Sequence, residues 1–284
     1  MMWRVVNTGI NHAAMNMAVD EAIMLAHSMG EVPPTLRFYG WKPAAVSLGY
    51  FQRETEIDRN ECERLGIDIV RRLTGGRAVL HEAELTYSIV IQEKEPSIPS
   101  TISASYRFFS KGLLAGLKQL GINAQMSMPR EIYSQSRPQK QYISSAACFD
   151  APAHYEITYE GRKLVGSAQV RKHGVILQHG SILLSFYPER MAAVLGFDAL
   201  EKRQKMVEIL TRRATSMEEI MGRSVSWQEV YDAMLGTFGS VIGVELQQGS
   251  LIEKEVETSK QLAALKYNQS SWNRVRQKEE QHGI

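Results

Sequence analysis

The amino-acid sequence predicts an α+β fold, with mixed and antiparallel sheets flanked by helices. Three features carry that prediction. Residues 155–159, 162–171 and 175–184 are strand-like runs separated by Glu160-Gly161 and His173-Gly174, the spacing of two tight hairpins, so they read as a meander. Before the meander, short strand patterns alternate with amphipathic helices. After Pro188 the period turns helical through a segment at 189–239.

In chain order, residues 3–8 read as a strand. Asn11 is placed to cap a helix reaching residue 27, where Ala14, Met17, Ala18, Ala22 and Leu25 recur at helical spacing. Pro33-Pro34 breaks the chain before strands at 35–39 and 45–48. Asp58 caps a short helix over 59–65, which Gly66 stops. Strands follow at 67–73, 78–81 and 85–92, the last rich in β-branched and aromatic side chains. A helix over 106–120 closes at Gly121, and 129–145 is a polar loop. Beyond the meander, helices over 189–195, 200–210, 217–222 and 227–238 lead to a strand at 241–247 and a last helix over 251–267.

Composition removes several function classes. The 284 residues are 44% apolar and 23% charged, enough to bury a sizeable core. A net charge of +2 is too small to argue for nucleic acid or an anionic membrane. Two cysteines, Cys62 and Cys148, are too few for a disulfide framework and lack zinc spacing, which fits a reducing compartment. No apolar run resembles a signal peptide or approaches the ~20 residues of a membrane helix. A cytoplasmic protein is expected.

Four groups of residues could carry chemistry. Cys148 lies in a small-residue turn before the meander and reads either as a buried structural thiol or as a nucleophile. Cys62 is flanked by Glu61 and Glu63, which disfavour thiolate, and reads as structural. Strand parity groups Lys163, Val165, Ser167, Gln169 and Arg171 on one face, which is either solvated or the wall of a cleft; Leu164, Gly166, Ala168 and Val170 take the other. In the run from Arg71 to His81, Gly75 and Gly76 allow close backbone approach to a ligand, and three arginines (Arg71, Arg72 and Arg77) surround them. The bland alternative is a glycine hairpin with a basic edge. The run is neither a P-loop nor a dinucleotide fingerprint, and no Gly-x-Ser-x-Gly elbow marks a serine nucleophile. His81 with Glu82 and Glu84 lacks metal-binding spacing, and no metal is expected.

Several segments resemble the biotin/lipoate protein ligase and transferase superfamily. Leu36-Arg37-Phe38-Tyr39-Gly40-Trp41-Lys42-Pro43 and Val46-Ser47-Leu48-Gly49-Tyr50-Phe51-Gln52 resemble its first core strands. Arg71-Arg72-Leu73-Thr74-Gly75-Gly76 resembles the acyl-site motif. Gly161-Arg162-Lys163-Leu164-Val165-Gly166-Ser167-Ala168-Gln169 resembles the strand bearing the family lysine, and Leu177-Gln178-His179-Gly180-Ser181-Ile182 continues it. Lys266-Tyr267 and Ser271-Trp272-Asn273 resemble the terminal motif. The resemblance spans most of the chain and is weakest at 189–239. It implies a ligase-like catalytic fold, a single domain over 1–284, and a monomer.

Within the superfamily the chain resembles the octanoyltransferases that carry a cysteine where Ala147-Cys148-Phe149 stands. ATP-dependent lipoate ligases have a third glycine in the Gly-rich turn; here Arg77 occupies it, a poor fit to an adenylate. The resemblance therefore implies octanoyl transfer without ATP, metal or other cofactor. Octanoyl-acyl carrier protein would be the donor, and a lysine of the glycine cleavage H protein or another lipoyl domain the acceptor. Cys148 would carry the thioester and Lys163 would poise the thiolate. Arg72, Gly75, Gly76, Arg77, His81, Gln169 and His179 would bind substrate. The alternatives are an ATP-dependent lipoate ligase and a non-catalytic protein that binds lipoyl domains.

Overall fold

The structure is a computed structural model that describes residues 1–127, 156–197 and 199–274. Eleven strands appear among these residues: β1 (Met2–Asn11), β2 (Thr35–Trp41), β3 (Ala45–Leu48), β4 (Asp68–Arg71), β5 (Val79–His81), β6 (Glu84–Gln92), β7 (Gln125–Met126), β8 (Ile157–Tyr159), β9 (Arg162–Lys172), β10 (Val175–Leu183) and β11 (Glu245–Gly249). Eight of them form one sheet in the order β11-β1-β2-β6-β10-β9-β8-β7. In that sheet β1 runs parallel to β2 and β11, and the other pairings are antiparallel. A second sheet has the order β4-β3-β5. The mixed, helix-flanked architecture is the α+β arrangement expected.

The predicted meander is β8-β9-β10. At its turns Glu160 and Gly161 have φ of 49° and 77°, and His173 and Gly174 have 55° and 71°. Two consecutive positive φ values give the turn twist that closes a two-residue hairpin. Before β2, α1 (Ala13–Ser28) is capped by His12, whose side chain accepts from the amide of Met15, and not by Asn11 as expected. Asn11 ends β1 and donates to the Thr8 carbonyl. The short α2 (Arg59–Arg64) does use Asp58 as its cap, and Gly66 follows at φ 64°.

One face of the large sheet is apolar. Leu36, Phe38, Leu85, Tyr87 and Ile89 pack there against α3 (Ile102–Gln119) and the later helix Trp227–Ile242 through Phe109, Leu113, Met234 and Phe238. At ~25 cal/mol per Å², burial on this face is the main source of stability. The other face is polar toward its centre. Arg37 and Tyr39 of β2, Ser88 of β6 and His179 of β10 converge there on Asp20 of α1.

The segment after Pro188 is helical as predicted, with α4 (Pro188–Ala193), α5 (Leu200–Arg213), α6 (Met217–Met221) and α7 (Trp227–Ile242). The expected strand at 241–247 starts later, because α7 continues to Ile242 and closes on Gly243 at φ 76°. The last predicted helix divides into α8 (Glu253–Leu262) and a wider turn over Ala263–Tyr267. An unpredicted α9 (Ser270–Arg274) follows. That C-terminal segment backs β4: Asn273 Oδ1 accepts from the Arg71 amide and the Trp272 indole donates to the Arg71 carbonyl. The Arg71 guanidinium in turn donates to the carbonyls of Gly49, Tyr50, Gln52, Trp272 and Asn273. No helix among the described residues is long and apolar enough to cross a membrane.

Candidate active site

A cavity of about 250 Å³ lies between the polar face of the large sheet and the small sheet. Its floor crosses the strands: Tyr39 and Trp41 from β2, Thr86 from β6, His179 and Ser181 from β10, and Gly166 and Ala168 from β9. With strands about 4.8 Å apart, the span from β2 to β9 is roughly 14 Å. Lys163 and Glu156 border the β9 side, and Met17 reaches in from α1. Ser47 of β3, Val79 and His81 of β5, and Gly76 and Arg77 of the preceding turn form the opposite wall.

Lys163 reaches this cavity through a β-bulge. Ile157 pairs with Val165 while the next residue, Thr158, pairs with Lys163, so β9 carries one extra residue at Leu164. Leu164 and Val165 both enter the apolar core, and Lys163 comes round to the side of Gly166 and Ala168. This corrects the parity reading, which placed Lys163 with Ser167, Gln169 and Arg171. A strict period of two cannot anticipate an inserted residue. Ser167 instead bonds Tyr87, Gln169 bonds Ser105 of α3 and Gln178, and Arg171 bonds Ser105 and Glu93. Gln169 therefore lies on the sheet face away from the cavity.

The Lys163 ammonium is buried and ion-paired with Glu156, itself buried. The Lys163 carbonyl accepts from the amide of Thr215, just after α5, so the helical segment anchors the lysine's backbone. Each charge offsets part of the cost of burying the other.

Arg72 organises the opposite wall. Its guanidinium donates to the carbonyls of Ser47, Gly75 and Arg77, each at 2.8 Å, and to the hydroxyls of Ser47 and Thr74, each at 3.1 Å. The turn it holds includes Gly76 at φ 92°, a backbone state that side chains resist. Two hydroxyl–imidazole–carboxylate chains begin at those hydroxyls. In one, Ser47 Oγ lies 2.7 Å from His81 Nε2, and His81 Nδ1 lies 2.7 Å from Glu84 Oε1. In the other, Thr74 Oγ1 lies 2.7 Å from His179 Nε2, and His179 Nδ1 lies 3.1 Å from Asp20 Oδ2.

Burial, only partly offset by Asp20, pushes the His179 imidazole below its ordinary pKa. Burial acts to raise the Asp20 carboxyl, but Arg37, His179 and Ser88 together hold it below its usual range. Trp41 stacks on His81 with ring centroids 4.1 Å apart and donates to Thr86, which donates to Glu84. Most of these polar atoms bond one another, Glu84 Oε2 being buried without a partner among the described residues, and the cavity presents mostly apolar walls.

Of the residues singled out from sequence, Lys163, Arg72, Gly76, Arg77, His81 and His179 meet at the cavity. Gly75 contributes its carbonyl to Arg72. Cys148 lies outside the described residues, as does the loop at 129–145. Cys62 is a buried free thiol pushed up to about 12, by burial first and then by Asp58, with Glu61 a lesser contributor. Sequence reasoning missed Ser47, Thr74, Glu84, Asp20 and Glu156. The three-residue step from His81 to Glu84 was visible, but only as a failed metal pattern.

The model of the lipoyl protein ligase A/B catalytic domain matches residues 12–239. This chain belongs to that family. Octanoyltransferase LipM from Kyrpidia tusciae is 48% identical over 272 residues, covering 95% of this chain and 98% of the relative. Octanoyltransferase LipM from Bacillus subtilis is 38% identical, covering 95% and 97%. Among solved structures, the bipartite lipoate protein ligase from Thermoplasma acidophilum aligns with a TM-score of 0.78 and 25% identity over 98% of both chains. A lipoate-protein ligase A bound with ATP aligns at 0.74 and 25% identity, over 96% of this chain and 98% of that one. The family's catalytic domain thus includes both cavity walls, while β11 and the segment that backs Arg71 lie beyond the matched residues.

The Arg72 fork leads to a test. Arg72→Lys keeps the charge but loses the planar set of donors, and is expected to destabilise the fold by about 2–3 kcal/mol. Thermal unfolding checks the loss. Hydrogen exchange should locate the loosening at residues 75–77. Uniform protection there in the variant would show that Arg72 does not hold the turn.

Proposed function

We propose that this protein is an octanoyltransferase of lipoate assembly. The observation that carries the reading is the near-full-length likeness to octanoyltransferases at 38–48% identity. A cavity with apolar walls, bordered by a buried ammonium, supports it. In this reading a Cys148 thiolate attacks the octanoyl thioester of acyl carrier protein. The S–C bond to the enzyme forms, the bond to the phosphopantetheine sulfur breaks, and an acyl-enzyme results. A lysine of a lipoyl-accepting protein, such as the glycine cleavage H protein, then takes the acyl group as an amide. The thioester is activated enough that ATP is not required.

Lys163 supplies the positive charge that favours thiolate and stabilises the tetrahedral oxyanion. The alkyl tail lies along the trough from β9 toward β2. Six or seven buried methylenes contribute about 0.8 kcal/mol each. The turn at Arg72, Gly75, Gly76 and Arg77 with His81 and His179 shapes the acyl site, and Gln169 drops out of that role because its side chain faces α3. The protein acts in the cytoplasm, as a single domain and a monomer.

The test is mass spectrometry of the protein mixed with octanoyl-acyl carrier protein in the absence of ATP. One hydroxylamine-sensitive octanoyl adduct on Cys148 is expected. No adduct, or one that persists in Cys148→Ala, rejects the mechanism. The likeness to an ATP-bound ligase favours the second reading, a lipoate ligase. That reading predicts adduct-independent transfer with AMP release.

A further inference from the structure

A basic helix ends beside Lys163. Just after α5, Ala214 bridges to Lys163, and the Thr215 amide donates to the Lys163 carbonyl at 3.0 Å. Five cations lie on α5 (Lys202, Arg203, Lys205, Arg212 and Arg213), against the acids Glu201 and Glu208. The whole chain carries a net charge of only +2. Met206 and Leu210 are the buried residues of the helix. Lys202, Lys205, Arg212 and Arg213 are exposed, and at 3.6 residues per turn they fall within about 100° of its circumference. Among the described residues that line the cavity, none comes from α5.

Helix stability does not account for this row of charge. Arg212 and Arg213 sit in the last turn, where the helix dipole favours cations. Lys202 and Arg203 sit in the first turn, where the dipole opposes them and Ala199 supplies no side-chain cap. Arg203 comes only within 4.0 Å of Asp58, and Arg212 within 3.9 Å of Glu208. Exposed pairs of that length contribute little.

We propose that this basic face of α5 is the docking surface for the carrier-protein donor, an assignment that rests on the acyl-transfer reading above. Charge chooses between the two partners of that reaction. The donor's phosphopantetheine arm is joined to its protein through a phosphate, so an anion stands where the arm leaves the carrier. The acceptor presents a lysine ammonium, which a row of cations repels. Reach makes the same choice. At 1.5 Å per residue, Lys205 lies about 14 Å along the helix axis from Ala214, and Lys202 about 18 Å. An acceptor lysine ends on a four-carbon stem, so its protein must lie against the cavity mouth at Lys163. The phosphopantetheine arm is a far longer chain and lets the carrier stand off along α5.

The experiment compares two thioesters. Wild type and the double variant Lys205→Glu with Arg212→Glu are loaded from octanoyl-acyl carrier protein or from octanoyl-pantetheine. The second keeps the thioester but has neither the phosphate nor the protein. Mass spectrometry follows loading in single turnover at low and at physiological ionic strength. At low ionic strength the variant is expected to load from the carrier protein about 10-fold more slowly or worse, through slower association. The loss should shrink as salt rises. Loading from octanoyl-pantetheine, and transfer from the preloaded enzyme to an isolated H protein, should each stay within about twofold, because neither uses this surface. Equal losses with both thioesters would make α5 a support for the site. A loss confined to transfer to the H protein would make it the acceptor's surface, and no loss in any step would leave it a solvated face. Each of these results overturns the proposal. If wild type forms no octanoyl-enzyme from either thioester, the acyl-transfer reading fails and the docking falls with it. A wild type that loads normally beside an unaffected variant rejects the docking alone.

Discussion

Replacing Lys163 with alanine is expected to slow formation of the octanoyl-enzyme by about 10²–10³-fold, the loss seen when a charge-stabilising donor is removed from an acyl-transfer site. The same change is expected to cost the fold roughly 3–5 kcal/mol, because it leaves Glu156 buried without this cation. Activity loss alone would then be ambiguous. The double variant Lys163→Met with Glu156→Gln resolves it. Replacing both charges with neutral groups of similar volume should restore most of the stability, since buried ion pairs contribute little net stabilisation. Acylation should remain slow, because the positive charge is still gone. Denaturant unfolding and single-turnover acylation on the three proteins check both halves. Recovery of activity in the double variant would show that Lys163 only maintains structure.

Gly49→Ala is the second large expected effect, and its cause is steric. A Cβ at Gly49 would lie 1.9 Å from the Gly76 carbonyl oxygen and 2.8 Å from its carbon. Both atoms are backbone, and neither side of the contact can yield easily. The Arg72 fork holds the carbonyls on either side of Gly76, while Arg71 holds the Gly49 carbonyl at 2.8 Å. A loss of about 3 kcal/mol or more is expected, with the acyl-site turn displaced and acylation abolished. Gly75→Ala is the control, because its Cβ would meet nothing within 4 Å. It should change stability by only about 0.5 kcal/mol. Similar melting curves for the two variants would remove the steric argument.

Much of the fold was legible because it depends on local patterns. Asp58 and Gly66 bracket α2 by capping chemistry that acts within a few residues. Glu160-Gly161 and His173-Gly174 set the meander because two-residue hairpins need positive φ at both positions. The site was legible in part. Lys163, Arg72, Gly76, Arg77, His81 and His179 were singled out from motif and resemblance, and all six border one cavity. Two of the misses, Asp20 and Thr74, share a physical character. Asp20 and His179 are 159 residues apart, and Thr74 and His179 are 105 apart. No pattern within a window of the chain encodes such a contact.

The sequence by itself determined most of the element order, the hairpin turns, the mixed helix-and-strand class and the family, since propensity, capping and motif spacing are local properties. Tertiary structure alone decided which way the key side chains point. The bulge at Leu164 turned Lys163 into the cavity and left Gln169 against α3. The sheet pairing set His81 between Ser47 and Glu84. An inserted residue reverses strand parity without leaving a mark in the pattern of residues, because its direction is fixed by the strand it pairs with.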